Sequence, residues 1–127
     1  MRFISIAGMA LALMLVPVAE ATDGRTITMR ADLGTDGVTE VRALTYHPME
    51  TGRRIDLTTG ELIPAHYITN ISATSNGVSV FRGVIGTMVS KNPYFSFKFR
   101  GGAVGDVVEL SWEDNLGDSH SATVSIQ

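Results

Sequence analysis

The chain contains no cysteine among its 127 residues. This absence excludes a disulfide framework, a thiolate nucleophile, a redox-active dithiol, a thiolate metal site and a haem-attachment motif. Any sulfur or electron chemistry in which the protein takes part therefore needs a reactive atom on another chain. Many small domains depend on disulfides for stability. Because this chain cannot form them, its fold has to be stabilised by a packed core.

An excess of one charge is also missing. The chain has 10 basic and 13 acidic residues, for a formal net charge of −3, and the two signs are interspersed along it. This pattern argues against nucleic acid or an anionic membrane surface as a partner, because both attract a clustered positive charge. No heptad repeat, amphipathic helical stripe or low-complexity tract is present.

Recognisable catalytic motifs are absent as well. The sequence has no G-x-S-x-G nucleophile elbow. Its glycine-rich segments at residues 83–86 and 101–102 lack the lysine and the strand-to-helix context of a phosphate loop. Ser119 and His120 are neighbours on a predicted strand, so their side chains point to opposite faces. We therefore interpret the chain as a protein that is not an enzyme and needs no cofactor.

The N-terminal segment has the features of a targeting signal. Arg2 precedes an uncharged, largely apolar run over residues 3–18, and Ala19 and Ala21 place small residues at both specificity positions before a cleavage point. The run is shorter than the roughly 20 residues that span a bilayer. We expect a cleavable signal peptide over residues 1–21, export to the periplasm, no membrane attachment afterwards, and one domain over residues 22–127.

Short runs of alternating polar and apolar residues fill the rest of the chain. Residues 25–30 show the period of two that is typical of a half-buried strand. Asn76 and Gly77 separate two further runs and predict a hairpin, because both central residues of a type I′ turn need positive φ. Residues 95, 97 and 99 are all phenylalanine, and we expect their strand to be a central element of the core.

The number of these runs indicates the fold class. About seven short strands are predicted, with turn signals roughly every ten residues. This spacing favours an all-β, immunoglobulin-like antiparallel β-sandwich, with a small β-barrel as the alternative.

One connection is much longer than the others. Residues 46–68 form a charged, proline-bracketed segment between two predicted strands. A connection beyond about 12–15 residues in a compact domain usually has a function. We expect a turn at residues 58–60, with apolar residues on two arms: Ile55, Leu57, Leu62 and Ile63. Such residues need cover from the domain's own sandwich or from a second protein, and the sequence leaves both alternatives open.

Two histidines, His47 and His66, bracket this connection, and Met49 follows the first. Imidazoles and a thioether are ligands that copper accepts. Nothing in the sequence brings the rings together, so we interpret them as hydrogen-bonded histidines at the base of a loop and predict no metal site. Residues 114–118 lack the spaced carboxylates and closing glutamate of a calcium loop, and we interpret them as a hairpin turn.

Four sequence blocks follow one another in a distinctive order. They are H-P-M-E-T-G at residues 47–52, I-P-A-H-Y-I at 63–68, S-K-N-P-Y-F-S-F-K-F at 90–99 and G-D-V-V-E-L-S-W-E-D-N-L-G at 105–117. In order and spacing they resemble the SoxZ family of sulfur-oxidation proteins, over nearly all of the chain from about Val38 onward. The likeness departs at the N-terminus, because SoxZ chains commonly lack an export signal of their own.

The resemblance implies a non-catalytic scaffold subunit with an immunoglobulin-like fold. SoxZ-like chains pair with SoxY, whose flexible C-terminal tail ends in the cysteine that covalently carries sulfur intermediates during periplasmic thiosulfate oxidation. The expected partners are a SoxY-like chain, in a heterodimer or heterotetramer, and transiently the Sox enzymes that oxidise and hydrolyse the cargo. The residues expected to bind partners are His47, Pro48, Met49, Glu50, Arg53, Arg54, His66, Lys91, Asn92 and Pro93.

The residues by themselves also allow a second function. A free-standing periplasmic domain could bind a small ligand or a metal ion through His47, Met49 and His66. The two alternatives differ in a simple observation, because only the first requires a cysteine-bearing partner chain.

Overall fold

The computed structural model describes residues 26–127, so the predicted signal peptide lies outside the described part of the chain. Within that range the chain forms seven strands. They are β1 (Ile27–Leu33), β2 (Val38–Thr45), β3 (Ile68–Ser75), β4 (Val78–Val84), β5 (Tyr94–Arg100), β6 (Val107–Asp114) and β7 (Ser119–Ser125). From residue 26 to the C-terminus there is no helix of the length and apolar character needed to cross a membrane.

The strands form two antiparallel sheets that pack face to face. One sheet has three strands in the order β1-β2-β5, and the other has four in the order β4-β3-β6-β7. The predicted all-β sandwich of about seven strands is therefore confirmed. The strand predicted over residues 25–30 is observed as β1, beginning at Ile27.

The core lies between the central strands of the two sheets. Strands β2, β3 and β6 each have a neighbour on both sides, and apolar residues at every second position point into the sandwich. Burying one such side chain stabilises the fold by roughly 1.5–3 kcal/mol. The buried apolar residues of these three strands are Val41, Ala43, Ile68, Ile71, Ala73, Val108, Leu110 and Trp112.

The strand with three phenylalanines is not central to the core, and that prediction is wrong. Among the strands described, β5 pairs only with β2 and forms an edge of its sheet. Its phenylalanines are half-buried, and Phe97 stacks on Phe81 of β4 with ring centroids 4.4 Å apart. Alternation shows which face of a strand is apolar, but it does not show how many neighbours the strand has.

The hairpin between β3 and β4 matches its prediction. Asn76 and Gly77 have φ values of 47° and 84°, the two positive angles that a type I′ turn requires. Asn76 also joins the hairpin to β6. Its backbone N–H donates to the Val107 carbonyl at 2.9 Å, and its side-chain Oδ1 accepts from the backbone N–H of Val107 at 2.8 Å.

Two adjacent glycines after β5 provide a matched test of the packing. Gly102 has a φ of 85°, and a Cβ there would lie 2.7 Å from Thr39 Oγ1 and 2.9 Å from Ile126 Cδ1. Gly101 also has positive φ, but a Cβ there would meet nothing within 4 Å. We expect Gly102→Ala to lower the free energy of unfolding by about 1–3 kcal/mol more than Gly101→Ala, because only the former displaces packed atoms. Urea unfolding measures the difference, and equal losses would contradict the close packing at Gly102.

Candidate functional site

The long connection between β2 and β3 folds into an irregular hairpin, which we call the arm (residues 46–67). Two isolated antiparallel bridges hold it together, one between Glu50 and His66 and the other between Ile55 and Leu62. The chain reverses at residues 57–59, one residue earlier than the turn that the sequence predicts at residues 58–60. The arm is therefore a defined element attached to one end of the sandwich.

Apolar side chains at the outer end of the arm remain exposed. Leu57 is 96% exposed, Leu62 is 61% exposed and Ile55 is 51% exposed, while Ile63 is half-buried. Of the two alternatives left open by the sequence, cover by the domain's own sandwich does not apply to the first three residues. Ile55 and Leu62 are neighbours across a β-bridge, and adjacent exposed apolar residues are typical of a surface that contacts another protein.

The carboxylate of Asp114, at the end of β6, anchors the base of the arm. Its Oδ2 accepts hydrogen bonds from His47 Nε2 at 3.0 Å and from His66 Nε2 at 2.9 Å. Its Oδ1 accepts from the backbone amides of Leu116 and Asp118, both at 3.0 Å. Burial alone would raise the pKa of Asp114, but these four hydrogen bonds outweigh that effect and lower it, so the side chain stays ionised.

His47 is held in one neutral tautomer. The Met49 amide donates to its Nδ1 at 3.1 Å, so that nitrogen carries a lone pair and the ring proton lies on Nε2, facing Asp114. The side chain is 3% exposed, and its burial lowers the pKa of His47 despite the opposing hydrogen bond to Asp114. A second ring proton would point at the Met49 N–H, so the geometry disfavours the charged form as well.

Residues 92–93, which directly precede β5, form hydrogen bonds with the start of the arm. The backbone N–H of Asn92 donates to the His47 carbonyl at 2.9 Å, and the side-chain Oδ1 of Asn92 accepts from the backbone N–H of His47 at 3.0 Å. The Pro93 carbonyl accepts from the Thr45 amide at 2.9 Å. Asn92 has a φ of 53°, in the left-handed region that asparagine tolerates better than most residues. Two of the predicted site segments thus meet in the fold.

A shallow cleft lies beside this junction. It has a volume of about 430 Å³ and is lined by Pro48, Met49, Glu50, Thr51, Arg54 and Lys91. Arg54 makes two hydrogen bonds to Glu50, at 2.6 and 3.1 Å, which lower the pKa of the carboxyl. Lys91 has no ion-pair partner within residues 26–127, so it adds a positive charge to the cleft wall.

Nine of the ten predicted site residues fall into three sets. His47 and His66 hold Asp114, Asn92 and Pro93 hold the chain at the start of the arm, and the cleft is lined by Pro48, Met49, Glu50, Arg54 and Lys91. Arg53 belongs to none of these sets, because it is exposed and its backbone amide donates to Thr51 Oγ1 at 3.1 Å.

Asp114 is a site residue that was not predicted from the sequence, where residues 114–118 were interpreted only as a turn. The turn is real, since Oδ1 accepts the amides that follow, but Oδ2 has a separate role. The pairing of Ile68 with Asp114 between β3 and β6 brings the carboxylate to the end of the arm. No local sequence signal reveals that pairing.

The geometry of the histidine–aspartate cluster favours hydrogen bonding over metal coordination. One ring nitrogen of His47, one of His66 and one Asp114 oxygen lie within 4.8 Å of one another. However, the Met49 amide at Nδ1 keeps the ring proton of His47 on the nitrogen that a metal ion would need. Met49 Sδ instead accepts from the Ile68 amide at 3.4 Å, so the thioether does not join the cluster.

Comparison with known proteins identifies a family for this architecture. A family model described as sulphur oxidation protein SoxZ matches residues 27–125, from the first residue of β1 to the last residue of β7. A search of curated proteins finds no match. The matched range includes the arm, the cleft and the residues around Asp114.

The neutral state of His47 makes stability depend on pH. The unfolded chain binds a proton at this imidazole near pH 6.5, whereas the folded pKa is lower. The free energy of unfolding should therefore fall as the pH drops below about 6.5, by up to about 1.4 kcal/mol per pH unit. Asp114 contributes in a separate, more acidic pH range, because its pKa in the folded protein lies below the ordinary value of 3.8.

The variant His47→Gln tests whether His47 is neutral in the folded protein, because glutamine keeps a donor toward Asp114 but does not titrate. We expect a flatter dependence of unfolding free energy on pH between 7.5 and 5.5 than in the wild type, measured by urea unfolding. Parallel curves for the two proteins would show that His47 is not held neutral in the folded state.

Proposed function

This chain belongs to the SoxZ family of sulphur oxidation proteins, and we propose that it is the non-catalytic scaffold subunit of a periplasmic sulfur-carrier heterodimer. Its partner is a SoxY-like chain whose C-terminal cysteine covalently carries sulfur intermediates during thiosulfate oxidation. Family membership supports a role in sulfur oxidation. The exposed apolar end of the arm is the observation that supports a permanent protein partner.

The arm has the composition of an interface. Its exposed apolar residues, Ile55, Leu57 and Leu62, lie among charges of both signs, including Arg53 and Glu61. Protein interfaces commonly combine an apolar centre with a polar rim. Because hydrogen bonds at its base hold the arm to the sandwich, the surface is preformed and little conformational entropy is lost on binding.

The composition of the chain supports the scaffold role. A covalent sulfur carrier needs a thiol, and this sequence has none. The thiol must therefore come from the partner, while this subunit supplies a folded platform. The cleft between the start of the arm and Lys91 is the surface that we assign to transient docking of the enzymes that load and unload the carrier. A periplasmic location is supported by the signal-peptide features of residues 1–21.

Native mass spectrometry of the protein, purified gently from the periplasm of its host during growth on thiosulfate, tests the heterodimer. We expect a one-to-one complex with a small chain that ends in a cysteine and bears sulfur adducts removable by reductant. A lone monomer would contradict the proposal. A lone monomer whose melting temperature rises with copper or zinc would favour the ligand- or metal-binding module instead.

The double variant Leu57→Ser and Leu62→Ser tests the arm as the contact surface. We expect the dissociation constant for the cysteine-bearing partner to rise at least about tenfold, because buried apolar anchors carry much of an interface's binding energy. The matched control is Val84→Ser with Met88→Ser, two residues that are 87% and 95% exposed outside the arm. Isothermal titration calorimetry compares the two variants, and equal losses of affinity would remove the arm from the interface.

A further inference from the structure

Of the two imidazoles on Asp114, only that of His66 retains a free ring nitrogen. His47 uses both nitrogens, Nδ1 for the Met49 amide and Nε2 for Asp114. His66 uses Nε2 for Asp114 at 2.9 Å, and its Nδ1 makes no hydrogen bond within residues 26–127. The His66 side chain is 29% exposed, whereas that of His47 is 3% exposed.

The partner of His66 determines where its proton lies. Because Asp114 is an ionised acceptor, the proton of a neutral His66 ring occupies Nε2, and Nδ1 carries a lone pair. A buried carboxylate that orients an imidazole with one free lone pair is the orienting and basic part of a nucleophile–base–carboxylate triad. This chain supplies no thiol nucleophile, since it has no cysteine, and the hydrogen bond of the His66 ring goes to Asp114.

The charged groups around His66 suit an anion that forms beside it. Glu50 pairs with His66 through two backbone hydrogen bonds of 2.6 and 2.9 Å, and its carboxylate is engaged by Arg54. Lys91 lies in the adjoining cleft and acts electrostatically on the same carboxylate. On the other side, Asp114 and the neutral His47 complete the surroundings. Among the described residues that line the cleft, Glu50 and Arg54 pair with each other, and Lys91 remains as a positive charge without an ion-pair partner.

We propose that His66, oriented by Asp114, accepts the proton of the thiol that the partner chain presents. This inference rests on the proposed function, because it takes its thiol from the cysteine-bearing subunit. The S–H bond breaks, a bond forms between the proton and His66 Nδ1, and the electron pair stays on sulfur as a thiolate. The resulting imidazolium lies between the thiolate and the Asp114 carboxylate, and no oxidant or reductant takes part.

A thiol fits this site better than a hydroxyl group. Thiols ionise near pH 8.5, close enough to the range of an imidazole for proton exchange at neutral pH, whereas alcohols ionise far above it. The thiolate is also the form of cysteine that attacks sulfur compounds. The site thus assigns to this subunit a part in activating the carrier cysteine, without a nucleophile of its own.

The first test uses this chain alone. Diethyl pyrocarbonate attacks accessible, unprotonated imidazole nitrogens, and peptide mass spectrometry locates the adduct. We expect His66 to be modified in the folded protein at neutral pH, and His47 to be modified only after unfolding in urea. If His66 too reacts only after unfolding, Nδ1 is not available and the proposal is overturned.

The second test uses the complex with the cysteine-bearing partner. The rate of alkylation of the partner's cysteine by iodoacetamide is measured from pH 6 to 9 for the wild type and for His66→Gln, in which glutamine keeps a donor toward Asp114 without a basic nitrogen. We expect the variant to react about tenfold more slowly at neutral pH, with its rate profile shifted upward by about one pH unit. His120→Gln, a half-buried histidine on β7 outside the cluster, is the control and should leave the rate unchanged.

The outcomes separate this inference from the proposed function. If the complex forms and the profiles of the wild type and His66→Gln coincide, the proton-accepting role is wrong and the scaffold role stands. If no cysteine-bearing partner binds, both are wrong. A rate loss in His66→Gln with unchanged partner affinity and unchanged melting temperature supports the role and excludes a general loss of structure.

Discussion

The attachment of the arm to the sandwich depends on one buried carboxylate, that of Asp114. A buried charge without partners costs several kcal/mol, so a side chain this enclosed needs hydrogen bonds to every oxygen lone pair. Asp114 obtains them from three segments of the chain: the start of the arm, the end of the arm and the turn after β6. Satisfying the carboxylate therefore holds both ends of the arm and the β6–β7 turn in one arrangement.

This arrangement also sustains an unusual backbone at Met49. The residue has a φ of 48°, and a bulky residue in the left-handed region costs of order 1–3 kcal/mol. Its amide donates to His47 and its sulfur accepts from the Ile68 amide, so both polar groups have partners in that conformation. The strained residue lies beside the cleft and turns the chain into the arm, where it positions the residues that we assign to partner contacts.

The arm reverses the usual distribution of polar and apolar groups in a domain. Its polar base is buried, and the apolar side chains at its outer end are exposed. Exposed apolar side chains do not stabilise an isolated domain, whereas their burial against a partner stabilises a complex. Under the proposed function, the subunit without a thiol contributes a rigid platform, a binding surface and one basic nitrogen, and the partner contributes the sulfur atom.

The strands, the Asn76–Gly77 hairpin, the turn in the arm and the family could all be predicted from the sequence, because they depend on local patterns of residues. The edge position of β5, the exposure of the end of the arm and the contact of Asp114 with both histidines become visible only in the folded chain. His47 and Asp114 are 67 residues apart, and they meet because the β3–β6 register places Ile68 opposite Asp114. Alternation within a strand shows which side chains are apolar, but the pairing of distant strands decides which polar groups come within hydrogen-bonding distance.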